Sequence, residues 1–111
     1  MTIHENKWFW GIKYTFILYG GAAFCHLELP FEENFAWISD VCVLPDYRRR
    51  GWGNMLLDQA IKKAKESGKP VVRLSVDNEW AQAWYERRGF KEIGFTPDGL
   101  PLLEMPLSVH K

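Results

Sequence analysis

The strongest constraint on the fold is a change of period in the middle of the chain. An apolar run from Phe35 to Leu44 stops at Pro45, where a ladder donor is lost. From Gly51 the spacing becomes helical: Met55, Leu56, Ala60, Ile61 and Ala64 recur three and four residues apart, with Lys62, Lys63 and Lys65 on the other side. Gly68 can take the left-handed conformation that ends a helix, Pro70 prevents continuation, and Val71 to Val76 reads as a strand. Strand, helix and strand in that order imply a right-handed crossover between parallel strands.

The segments on either side add antiparallel structure. Trp8 to Ile12 and Thr15 to Tyr19 are rich in aromatic and β-branched residues, and Gly20-Gly21 is a two-residue hairpin signal leading into Ala22 to Leu29. Pro30 to Asn34 is a polar turn that includes Glu32 and Glu33. Beyond the crossover, a second helix over about Glu79 to Arg88 precedes Gly89. Phe90 to Phe95 and Leu102 to Leu107 then read as strands joined across Thr96-Pro97-Asp98-Gly99. The expected class is α+β: a mixed, mostly antiparallel sheet with a central parallel β-α-β unit and two flanking helices. With no repeat or linker, residues 1–111 are expected to form one domain.

Composition narrows the function. An apolar fraction of 47% with 25% charged residues excludes a disordered chain, and no stretch approaches the roughly 20 apolar residues of a membrane span. Met1 to Lys7 lack the basic-then-apolar order of a secretory signal, so a cytoplasmic location without membrane association is expected. Cys25 and Cys42 can form one disulfide at most, and both sit in apolar runs where a buried thiol is ordinary. Net charge is zero, but two basic residues face five acidic ones up to Asp40, against twelve and nine afterwards. That excess suits a phosphate-bearing ligand and is too weak for a polyanion, so nucleic acid is not an expected partner.

The loop between the apolar run and the first helix is the most informative segment: Arg48, Arg49, Arg50, Gly51, Trp52, Gly53 and Asn54. Backbone N–H groups at a helix start have no intrahelical partner and carry the positive end of the dipole. Arginine adds permanent charge in a fork that matches phosphate oxygens, and glycine lets a phosphate approach the backbone. A solvated basic turn with a capping glycine is the other reading of the loop. Neither the P-loop nor the dinucleotide fingerprint fits, because no Lys-Ser or Lys-Thr pair and no third glycine follow.

The loop resembles the pyrophosphate motif of the GNAT superfamily of N-acetyltransferases, Arg or Gln-x-x-Gly-x-Gly or Ala, through Arg48, Gly51 and Gly53, with Val43, Pro45 and Tyr47 as the usual lead-in. Asn78, Ala81, Tyr85 and Gly89-Phe90 resemble the same family's second block, and the two motifs span about Phe35 to Phe95. The resemblance implies an acyl-CoA N-acyltransferase fold that takes acetyl-CoA and passes the acetyl group by direct attack to a primary amine of a small molecule or protein. Backbone groups of Val41, Cys42 and Val43 would bond the pantetheine arm between two splayed strands, and Asn78 would bond it from the other side. Tyr85 would stand near the sulfur as proton or hydrogen-bond donor, and the N–H groups around Val41 would hold the developing oxyanion.

Deprotonating the incoming ammonium requires a base. Asp40 leads, as it lies just before the cofactor-binding backbone, with Glu28 and His26 in reserve; no metal is expected. The acidic first forty residues favour a cationic acceptor, for which Trp8, Trp10 and Trp37 could line a pocket. Each assignment has a structural counterpart: a helix cap for Asn78, packing for Tyr85, a strand-end carboxylate for Asp40, and core or interface burial for the tryptophans. Family members typically begin with a strand and two helices that shape the acceptor site, whereas this chain has only short β-like segments there. That departure leaves room for a homodimer that completes the site, for a pocket open to a protein side chain, or for a catalytically silent CoA-binding regulatory or interaction module.

Overall fold

The computed structural model describes residues 1–107. Seven strands form one sheet: β1 (Thr2–Trp8), β2 (Gly11–Leu18), β3 (Ala23–Pro30), β4 (Ala36–Val43), β5 (Val71–Ser75), β6 (Lys91–Phe95) and β7 (Pro101–Pro106). Their spatial order is β1-β2-β3-β4-β5-β7-β6. Only β4 and β5 pair in parallel; every other neighbouring pair is antiparallel. Helix α1 (Trp52–Glu66) connects the parallel pair, and α2 (Glu79–Arg87) follows β5. The mixed sheet with its central crossover and two helices is thus the expected architecture.

Alternation along β2 from Tyr14 onward and throughout β3 turns Phe16, Leu18, Cys25 and Leu27 to one face, where they meet Leu56, Leu57, Ala60 and Ala64 of α1. Ala81, Trp84 and Tyr85 of α2 pack against the same cluster, so both helices cover one face of the sheet. This follows from handedness: successive right-handed crossovers that advance across a sheet in one direction stay on one side. Among the described residues no helix covers the opposite face. No helix of the described residues is long and apolar enough to cross a membrane.

Three local readings need correction. Trp8 to Ile12 is not one strand: Phe9-Trp10 is the turn between β1 and β2, and the first strand is Thr2–Trp8. Every residue of β1 is exposed, so it carries no buried alternation to read, and two aromatics are not a turn signal. Gly11 is fixed by space instead, since a Cβ there would lie 2.4 Å from the Leu29 carbonyl oxygen. Gly20-Gly21 does not form a two-residue hairpin loop; Tyr19–Gly21 is a 3-10 turn in which even Tyr19 takes a positive φ of 48°. Finally, Phe90 and Leu107 lie just outside β6 and β7 as buried anchors, with Leu107 N–H donating to the Pro70 carbonyl.

Candidate active site

The site begins with an irregularity in β4. His26 faces Asp40 across β3 and β4, but the next pair is Leu27 with Ile38, so Ser39 is an extra residue that bends the strand. On its other side β4 pairs with β5 only through Ala36–Val72 and Trp37–Arg73. Beyond Trp37 the two strands diverge. Leu44 N–H donates to the Ala22 carbonyl at 2.9 Å. By antiparallel alternation, Cys42 and Asp40 also direct their backbone groups toward β3, while Val41 and Val43 direct theirs into the gap. The Val43 carbonyl confirms this direction, because it accepts from Arg48 Nε at 3.0 Å on the open side.

After β4 the chain makes a short 3-10 turn, Pro45–Tyr47, and enters α1 through two left-handed residues, Arg49 (φ 65°) and Gly51 (φ 78°). The two loop glycines serve different needs. Gly51, the residue before the helix, is required by its backbone, since a Cβ there would meet open space. At Gly53 a Cβ would lie 3.7 Å from Trp84 and 3.8 Å from Val43, which alanine could tolerate. The N–H groups of Trp52, Gly53 and Asn54 belong to the first helical turn and have no partner within it.

The three arginines divide. Arg48 is tied to Val43; Arg50 lies 5.5 Å from the ring centres of both Tyr47 and Trp52; Arg49 faces the cleft. Trp52 is itself fixed by stacking with Tyr19 at 4.5 Å and Tyr47 at 5.3 Å.

Facing the gap from the other side is α2. Asn78 caps it, accepting from Ala81 N–H at 2.7 Å while its own amide donates to Asp77 at 3.0 Å, so the capping reading is realised on the wall of the cleft. Tyr85 packs edge-on against Trp84 at 4.8 Å and Phe90 at 5.5 Å. Burial, reinforced by Cys25 and Asp40, pushes its hydroxyl pKa well above the ordinary 10.0. Burial and the nearby Asp40 push the Cys25 thiol from 9.0 up to about 12. Both groups are therefore protonated at neutral pH.

A cleft of about 760 Å³ joins the gap, the loop and α2. Every residue expected from the sequence to hold the cofactor lines it except Arg50, whereas the candidate bases Asp40, Glu28 and His26 do not. Asp40 is exposed beside the gap, with His26 opposite and Glu28 two residues along β3, on the face away from the helices. His26 has its pKa lowered by burial and then by Lys13, which outweigh Asp40 and Glu28. Its Nδ1 lies 2.9 Å from Thr15 Oγ1. Trp8, Trp10 and Trp37 do not line the cleft; Trp37 packs against Phe35 at 6.4 Å on the helix-free face.

Several wall residues were not singled out from the sequence. Trp80 and Trp84 line the cleft beside Ala81 and Tyr85, and Arg88 ties α2 to α1 by donating to Asn54 Oδ1 at 2.6 Å and pairing with Asp58. Their three- and four-residue spacing along α2 was the available signal.

A helix start that presents free N–H groups and arginines beside a strand open on one side has the chemistry to receive a phosphorylated, extended ligand. Residues 4–90 match the acetyltransferase (GNAT) family, and the chain belongs to that family. An uncharacterized N-acetyltransferase of Methanocaldococcus jannaschii is 42% identical over 63 residues, covering 55% of this chain and 28% of the relative. A ribosomal-protein-bS18-alanine N-acetyltransferase of Salmonella typhimurium is 37% identical over 73 residues, covering 64% and 48%. A UPF0039 protein of Schizosaccharomyces pombe is 35% identical over 86 residues, covering 73% and 56%. The chain thus spans no more than 56% of the length of these three relatives.

Among solved structures, the Escherichia coli ribosomal-protein-S18-alanine N-acetyltransferase superposes with a TM-score of 0.71 at 26% identity, covering 95% of this chain and 74% of that one. Tetrahymena GCN5 shares the fold with a TM-score of 0.74 at 15% identity, covering 93% and 72%.

Proposed function

We propose that this chain is an acetyl-CoA-dependent N-acetyltransferase acting on a primary amine. The observation that carries the reading is the second half of β4, unpaired on its β5 side, which leads directly from the start of α1 to Tyr85. The residues suit coenzyme A on their own chemistry. Free N–H groups of Trp52, Gly53 and Asn54 with Arg49 match a diphosphate, and the amides and carbonyls of Val41 and Val43 match the amide-bearing pantetheine arm. Bound there, the thioester would supply an activated acetyl group.

The chain's own groups would do the rest. An alkyl ammonium with pKa near ~10.4 loses its proton at pH 7 at a cost of about 4.6 kcal/mol, so a base is needed. Asp40 and His26 flank the gap from the helix-free face, and the lowered pKa of His26 keeps its imidazole neutral and able to accept a proton. With Nδ1–H donating to Thr15, Nε2 would carry the free lone pair. Tyr85 approaches from the helix side and stays protonated. Full transfer from so weak an acid to a thiolate of ordinary pKa ~8.5 is uphill, which favours hydrogen bonding to the sulfur over complete proton transfer. The Val41 N–H would donate to the carbonyl oxygen as charge develops.

The same reading takes in a cationic acceptor drawn to Glu28 and Asp40, no nucleic-acid partner, and a homodimer as the working assembly. Two free thiols, Cys25 and Cys42, support a reducing compartment such as the cytoplasm. Titration calorimetry with coenzyme A and acetyl-CoA, followed by thiol release with polyamines, aminoglycosides and peptides, tests the proposal. Binding with release from at least one amine is expected. Absence of any binding heat contradicts it, and binding without release from any amine would mark a silent CoA-binding module instead.

A further inference from the structure

The two edges of the sheet are protected very differently. At one edge β6 is five residues long and broken by a register shift between Glu92 and Gly94, and such a bulge turns an edge away from further pairing. At the other, β1 runs seven residues in unbroken register with β2, from Thr2–Ile17 to Trp8–Gly11. Among the described residues no strand lies beyond it.

The two-residue turn Phe9-Trp10 makes Trp8 and Gly11 a hydrogen-bonded pair, so Trp8, Asn6 and His4 direct their backbone groups toward β2. Ile3, Glu5 and Lys7 therefore present their N–H and C=O groups outward. Phe9 is 97% exposed and Trp8 52% exposed beside this row.

We propose that β1 is the interface between two copies of this chain, paired antiparallel about a two-fold axis at Asn6. Charge selects this register. With the axis at Asn6, Glu5 of each copy faces Lys7 of the other in a hydrogen-bonded pair, and His4 faces Trp8 on the opposite surface. An axis at Glu5 or at Lys7 would set like charges directly opposite, which is destabilising. An axis at His4 would place Glu5 against Ile3 and leave Lys7 without a carboxylate. Space also permits the pairing: the two β3 strands would lie five strand spacings apart, about 24 Å, roughly twice a helix diameter, so the two α1 helices clear each other. This deepens the dimeric part of the proposed function by naming its surface, and it does not depend on acetyl transfer.

Sedimentation of the full chain over a concentration series provides the test, with coenzyme A calorimetry on the same samples to keep dimer and enzyme readings apart. Wild type is expected to self-associate reversibly. Glu5→Lys and Lys7→Glu should each weaken self-association at least ~10-fold, because each sets like charges opposite at both symmetry-related pairs. Mixing the two single variants should restore the dimer, since every pair is then complementary, and the double reversal should associate within about threefold of wild type by the same pairing rule. Wild type that stays monomeric at every concentration, single variants as dimeric as wild type, or a mixture that fails to associate would each overturn the proposal. Calorimetry with coenzyme A should be the same for all of these chains.

Discussion

The two halves of β4 share a strand but not a fate. Ala36 and Ile38 are buried, and the strand there is paired on both sides; Val41 and Val43 are paired only toward β3. The first half contributes to the core, while the second half leaves backbone donors and acceptors facing a cleft. An extra residue at Ser39 separates them. The lesson is that one inserted residue in a central strand can turn ladder hydrogen bonds that would stabilise the fold into groups available to a ligand.

The largest expected effect lies in the closed half. Ile38→Ala should lower unfolding free energy by about 2–5 kcal/mol in urea titration while leaving coenzyme A affinity within about twofold, because it opens a cavity away from the cleft. Loss of affinity on the same scale as stability would erase the distinction between the halves.

Cys25, facing Val41 from β3, adds an alkaline signature. Its folded pKa of about 12 exceeds the ordinary 9.0, so the folded state holds its proton longer than the unfolded state. The contribution is fully present below pH 9 and is lost as pH rises toward 12, on the order of 4 kcal/mol in all. Cys25→Ala should flatten the fall in stability above pH 9 in denaturant titrations; an unchanged slope would show that the thiol does not titrate in this way.

Tyr85→Phe should reduce kcat roughly 10²-fold, as loss of one well-placed donor does, with coenzyme A affinity changed by no more than about threefold. If affinity fell and turnover per bound complex did not, Tyr85 would be a packing residue only. A smaller effect is expected from Val41→Pro, which removes an N–H that no neighbouring strand uses. Coenzyme A should bind about tenfold more weakly while the β3 ladder survives, whereas Cys42→Pro removes a ladder donor and should cost about 3 kcal/mol of stability. Equal behaviour of the two proline variants would refute the alternation along β4.

Much of this was legible in the sequence because the relevant signals are local. The switch of period at Gly51, the stop at Gly68-Pro70 and the loop Arg48 to Asn54 each act through nearby backbone, and the structure places them as read. Strand β1 was illegible for the opposite reason: with neither face covered, Thr2–Trp8 needs no apolar alternation. The bulge at Ser39 and the division of labour among Arg48, Arg49 and Arg50 depend on partners distant in sequence or on side-chain stacking, such as Tyr19 beneath Trp52. Arg88 likewise reveals its role only when α2 lies against α1.

Amide hydrogen exchange along β4, followed residue by residue with and without coenzyme A, tests the central claim most directly. Without ligand, Val41 and Val43 should exchange quickly while Cys42 and Leu44 are protected, and saturating coenzyme A should slow Val41 and Val43 selectively. Protection at Val41 and Val43 before ligand is added, or no change in either after saturation, would contradict the account.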